Sequence, residues 1–182
     1  MNVIALSQTL IEPYLDSDDW CLQEIRSGSP IVIRYAKGEV TALDPECRMI
    51  PVPDGVAEAV RRIGEGIGGP VTLIGILDGE YFSAFDCLEY SDDLKVLKYV
   101  DRYMVLGRIL SRFPRNSLSI IPSYFSSREK RSRFNKLKRA RSKGVVLRKI
   151  SDILAKGDNL IFKVSLTRED AKVLPFRREQ KC

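Results

Sequence analysis

The densest chemistry in this sequence is cationic. From Arg128 to Lys143, Arg128, Lys130, Arg131, Arg133, Lys136, Lys138, Arg139, Arg141 and Lys143 stand against a single carboxylate, Glu129. The segment's net charge of +8 exceeds the +6 of the whole 182-residue chain. A solvated surface helix normally mixes signs, whereas guanidinium and ammonium groups at this density suit phosphate oxygens. The expected partner is nucleic acid, DNA ahead of RNA, with an acidic protein as the other candidate and a plain solvated face as the bland reading. Arg148, Lys149 and Lys163 could extend the surface. The sequence holds no helix-turn-helix, zinc-finger or RNP-type aromatic pattern. Contact is therefore expected through the phosphate backbone, with little sequence preference and a steep dependence on salt.

Other chemistries are excluded by residue type. There is no histidine, which removes His bases, Ser-His-Asp triads and His-ligated metals. Cys21, Cys47, Cys87 and Cys182 form no CxxC pair, so neither a zinc knuckle nor a disulfide framework is expected, and reduced thiols fit a cytoplasmic protein. No apolar run is long enough to span a bilayer, and Met1-Asn2-Val3-Ile4 does not open a signal peptide. Residues 1–90 carry 6 Lys/Arg against 15 Asp/Glu, and residues 91–182 carry 24 against 9. This asymmetry suits one face for a polyanion, or two halves that neutralise each other.

The elements that must position these groups follow from periodicity. Trp20–Gln23 is a short extended segment. Ile31, Ile33 and Tyr35 alternate with polar or smaller neighbours, Lys37-Gly38 makes a tight turn, and Glu39–Leu43 returns as a hairpin. Asp54 is expected to cap a helix with the stripe Val56, Val60, Ile63 and Ile67. Val71–Leu77 is a continuous apolar strand, Asp78-Gly79 a turn and Glu80–Leu88 the next strand. Ser91 is expected to open a helix carrying Leu94, Leu97, Val100, Met104 and Leu110 inward, and Leu118–Ile121 is a short strand. Ser126 and Glu129 fit a capping box that opens the basic helix, pinned by Phe134, Leu137 and Ala140 and running to Gly144. Strands Val145–Lys149 and Leu160–Val164 flank a polar turn at residues 156–159. The fold class is α+β, antiparallel sheets with packed helices. Residues 1–174 are expected to form one domain and residues 175–182 a charged tail.

This order of segments resembles the adenylation domain of ATP-dependent DNA ligases, with an ATP-grasp-like nucleotidyltransferase fold. Ile76-Leu77-Asp78-Gly79-Glu80 is similar to the family's third motif, and Ala84-Phe85-Asp86-Cys87-Leu88-Glu89-Tyr90 to the aromatic segment after it. Leu94…Arg102…Leu106 resembles the helix that follows. Lys143-Gly144-Val145-Val146-Leu147-Arg148 and Ile161-Phe162-Lys163-Val164 resemble the fourth and fifth motifs. The resemblance implies that Gln23 reads the adenine, Glu80 holds the ribose and Phe85 stacks on the base.

The departures fall on the chemistry. In the family a lysine of a Lys-x-Asp-Gly motif attacks the α-phosphate of ATP. Aligning Trp20–Gly28 through Gly28 puts Ile25 at that lysine and Ser27 at the aspartate, and an isoleucine forms no phosphoramidate. Lys37, at a hairpin tip, is a poor substitute. Lys143 stands where a metal-binding glutamate is implied, and a cation there repels Mg²⁺. Leu43–Cys47 has no arginine at the matching place, and Ser165 replaces a second lysine, although Lys163 remains. The expectation is a catalytically degenerate ligase-like protein, leaning away from an enzyme, that binds nucleic acid through its basic helix. Gln23, Ile25, Glu80, Phe85 and Lys163 would be remnants of the nucleotide pocket. No cofactor is expected. An active enzyme using an unrecognised lysine would need ATP and Mg²⁺, and a protein-interaction module is the third alternative. The resemblance also implies an OB-fold domain, for which the residues up to Cys182 leave no room.

Overall fold

A computed structural model describes residues 2–114, 116–156 and 160–166. Its strands are β1 (Asn2–Ala5), β2 (Trp20–Glu24), β3 (Ser29–Ala36), β4 (Glu39–Leu43), β5 (Val71–Asp78), β6 (Tyr81–Tyr90), β7 (Asp92–Asp93), β8 (Leu118–Ile120), β9 (Ser123–Tyr124), β10 (Gly144–Lys149) and β11 (Leu160–Ser165). The α-helices are α1 (Glu12–Asp16), α2 (Asp54–Ile67), α3 (Tyr99–Arg112) and α4 (Ser127–Arg139). The class is α+β, as the alternating and helical periods predict. None of the helices among the described residues is long and apolar enough to cross a membrane. The expected tail, 175–182, and most of the turn expected at 156–159 lie outside the described residues.

The residues divide into two compact units. The first joins residues 2–26 to the segment from Pro122 onward around a sheet of order β1-β11-β10-β2-β9. Its core is Ile11, Leu15, Leu22, Phe134, Leu137, Val145, Leu147, Phe162 and Val164, backed by the ring cluster Tyr14, Trp20 and Phe162. β1 runs parallel to β11, a departure from the all-antiparallel expectation. Only a long connection can bring a parallel partner alongside, and no local pattern announces it.

The capping box on α4 forms as the sequence predicts, with Ser126 Oγ accepting from Glu129 N and the Glu129 carboxylate accepting from Ser126 N. The helix ends earlier than Gly144. Arg141 takes a left-handed φ of 51°, its N–H reaching Lys138 O and Ser142 N–H reaching Leu137 O, a Schellman closure. Gly144 instead opens β10, where an added Cβ would lie 2.2 Å from Val164 O.

The second unit, residues 27–121, carries the sheet β4-β3-β5-β6-β7, with β8 parallel to β6. Lys37 and Gly38 both have positive φ, 52° and 86°, as a two-residue I′ hairpin turn requires. Helix α2 buries Val56, Ala59, Val60 and Ile63 against Ile31, Ile33, Val71, Leu73 and Phe82. Helix α3 departs from expectation. Ser91 sits in a turn at φ 59°, β7 follows, and the helix starts only at Tyr99. Its inward face is Tyr99, Arg102, Leu106 and Ile109, while Met104 is 54% exposed. The reason is Arg102, drawn inward by Asp86. Nε and an Nη reach the two carboxylate oxygens at 2.8 and 2.9 Å, both side chains being 1% exposed.

Candidate nucleic-acid interface

Helix α4 docks through Phe134 and Leu137, joined by an unexpected third residue. Lys130 is fully buried, and its Nζ donates to the carbonyls of Tyr14 and Trp20, at 3.2 and 2.9 Å, and of Ser17. Tyr14 and Ser17 lie at the end of α1, where carbonyls lack helical partners and a cation meets the negative end of the helix dipole. Burial pulls the Lys130 pKa below its ordinary value, opposed by the charges of Asp18, Cys21 and Asp16.

Two further cations of the segment are occupied. Arg131 grips Asp16 through Nε and Nη2, at 2.8 and 2.6 Å, and Glu12 through Nη1 at 2.6 Å. Its guanidinium holds the Asp16 carboxyl below the usual carboxylate range. Arg133 donates to Glu24 at 2.7 Å and lies over the Tyr124 ring, 5.6 Å from its centroid. Arg148 is 5% exposed on β10. Lys130, Arg131, Arg133 and Arg148, all expected to face a partner, are thus turned inward or held by this unit. The carboxylates that hold Arg131 and Arg133, and the carbonyls that hold Lys130, lie more than 100 residues away in sequence, so no local spacing could reveal them.

Six cations remain. Arg128, Lys136, Lys138, Arg139, Arg141 and Lys143 are exposed, and among the described residues none has a carboxylate partner. Arg128 and Arg139 share the outermost line of α4 with Ser132 and Asn135, at helical spacings of three and four. The line covers about 16 Å at 1.5 Å per residue. Its groups donate hydrogen bonds and carry positive charge, the chemistry that phosphate oxygens accept.

The expected nucleotide-pocket residues fall on both units. Lys163 pairs with Val146, Val146 with Gln23 and Gln23 with Ser123, so one row crosses the first sheet on the face opposite Leu22. Gln23 is buried and Lys163 exposed on that row. Ile25 follows β2, half-buried, its N–H bonded to Gly144 O and its Cδ1 lying over Gly144. In the second unit, Glu80 is exposed in the β5–β6 turn. Phe85 is the extra residue of a bulge between the pairs Ile74–Asp86 and Gly75–Ala84, a device that re-aims a side chain. No group of three or more Cys, Asp or Glu side chains among the described residues is placed to share a metal ion.

Solved structures share this architecture. The ligase domain of M. tuberculosis LigD matches with a TM-score of 0.62 at 17% identity, over 88% of this chain and 57% of that one. The chain has the DNA-ligase nucleotidyltransferase fold. A Lig E DNA ligase with that fold matches at TM-score 0.55 and 12% identity, over 91% of this chain and 69% of its own. An archaeal ATP-dependent RNA ligase matches at 0.55 and 15%, over 89% and 47%. This chain spans between about half and three-fifths of the length of the first three structures it matches. No family model and no curated protein matches the sequence. Ile25, which the resemblance aligns with the family's lysine, directly follows β2.

Proposed function

We propose that this protein is a ligase-fold nucleic-acid-binding protein that does not form a covalent adenylate. The reading is carried by the six exposed, carboxylate-free cations of Arg128, Lys136, Lys138, Arg139, Arg141 and Lys143, on a fold shared with DNA and RNA ligases. Phosphate contact accounts for a like-charged surface that otherwise weakens its own helix. DNA is the favoured partner over RNA, since a chiefly backbone-reading face with no aromatic platform suits a duplex better than splayed bases. Gln23 and Lys163 in the first unit, and Glu80 and Phe85 in the second, are each read as remnants of the nucleotide-binding motifs, with neither ATP nor Mg²⁺ required for nucleic-acid binding.

Fluorescence anisotropy on nicked duplex, intact duplex and single-stranded DNA, across a salt series, tests the binding. If all six cations engage duplex, log Kd changes with log salt with a slope of about 5 in magnitude. Affinity independent of salt sinks the proposal. Incubation with labelled ATP and Mg²⁺, followed by a denaturing gel, tests the other half. Label retained on the chain would show that another amine performs the transfer.

A further inference from the structure

A second surface, on α3, is built in a way the fold itself does not explain. Its outward side carries Met104, Gly107, Arg108, Ser111 and Arg112, which with Tyr103 line an open cavity of about 590 Å³. Gly107 lies in the middle of the helix, where glycine is less favourable than alanine by about 1 kcal/mol. Nothing among the described residues requires it, since an added Cβ would meet none of their atoms within 4 Å and the backbone is ordinary helix. The contrast with α2 is direct, because a Cβ on Gly64 would lie 1.9 Å from the Tyr35 ring. Gly107 instead leaves a notch open to the outside.

The notch has a chemical character. Beside it Met104, a flexible and adaptable apolar side chain, is more than half exposed. Arg108 and Arg112 have no carboxylate partner among the described residues, and the Arg112 guanidinium carbon lies over the Phe113 ring, 5.3 Å from its centroid. The cavity lining includes no acid; Asp101, one turn before Met104, lies outside it. An apolar centre, a missing side chain and a cationic rim toward the helix C-terminus together define the complement.

We infer that this α3 face docks an acidic amphipathic helix of a partner protein. Its apolar residue sits on Met104 and Tyr103, its backbone approaches Gly107 and Ser111, and its carboxylates pair with Arg108 and Arg112. Small residues one turn apart allow such close helix approach, and the two charges set its direction. The surface belongs to the second unit and the α4 cations to the first, and the inference does not depend on the nucleic-acid reading.

The test is an amide-resolved NMR titration of the whole chain with a synthetic Glu/Leu amphipathic helical peptide. Controls are its sequence-scrambled form and a Lys/Leu counterpart. The expected result is saturable shifts confined to residues 103–112, with binding by the scrambled and Lys/Leu peptides at least tenfold weaker. Gly107→Leu should fill the notch and reduce affinity at least tenfold without lowering the melting temperature, and Arg108→Glu should do the same through charge. Equal binding of all three peptides, shifts spread over other surfaces, or no shift at all overturns the proposal. A dimer in sedimentation velocity that Met104→Asp dissociates would also overturn it, by assigning the face to a second copy of this chain. So would α3 shifts on adding DNA that are as large as those on adding peptide.

Discussion

Cations that look alike in the sequence divide into two kinds by where their charge ends. Lys130 Nζ satisfies three carbonyls at the α1–β2 junction, whereas Arg139, nine residues on, meets only solvent. Lys130→Met keeps most of the volume but removes every donor. It should destabilise the protein by about 1–3 kcal/mol, the cost of leaving buried acceptors unmatched, seen as a lower urea midpoint. Arg139→Ala should move the midpoint by less than about 0.5 kcal/mol while weakening DNA binding and reducing the salt slope by about 1. If instead Lys130→Met left stability intact and Arg139→Ala destabilised the fold, the division of α4 into a docked and a free side would be wrong.

Among the elements, α3 shows how one pair can fix a helix's rotation. Asp86 comes from the bulged part of β6, and Arg102 must turn inward to meet it. Arg102→Leu leaves an uncompensated buried carboxylate and should cost about 3–5 kcal/mol. The double variant Asp86→Leu with Arg102→Leu should recover much of that loss, and thermal melts of the two against the parent decide it. This rotation is where periodicity alone misleads. The stripe Leu94, Leu97, Val100, Met104 and Leu110 is apolar, but a buried ion pair outweighs Met104, which turns out to solvent. The early end of α4 is local: Arg141 closes it because a Schellman turn tolerates a non-glycine residue in the left-handed region. Gly64, inside α2, makes room for the Tyr35 ring. What was legible rests on local rules: the I′ turn at Lys37-Gly38, the α4 capping box and the alternation of β3. Tertiary partners such as Glu12 and Asp16 for Arg131, or β1 for β11, are not written in any window. Gly64→Ala, forcing a methyl against the Tyr35 ring, should destabilise by about 1–3 kcal/mol, whereas Gly107→Ala should be neutral or stabilising.

At the scale of the whole molecule, Asp16, Glu58 and Glu89 share a direction of response to acid. Asp16 is held below 3.8 by Arg131, and Glu58 and Glu89 below 4.5 by Arg62 with Arg61 and by Arg34 with Thr72. A carboxyl with a depressed folded pKa contributes stability above its unfolded value and loses it as pH falls through the folded value. Stability should therefore be level between about pH 7 and 5 and fall below about pH 4, because the unfolded chain then binds protons that the folded chain refuses. A competing cause acts in the same range. Neutralising the 24 Asp and Glu leaves 30 Lys and Arg to repel one another, and the α4 segment concentrates that repulsion. Arg131→Gln separates the two. If pairing with Asp16 and Glu12 dominates, the variant's urea midpoint falls at pH 7 and matches the parent at pH 3. If repulsion dominates, removing one cation leaves pH 7 unchanged and raises the pH 3 midpoint. The geometry favours the first result: Arg131 makes three hydrogen bonds of 2.6–2.8 Å to two carboxylates, while the six solvated cations are screened by salt and free to move apart.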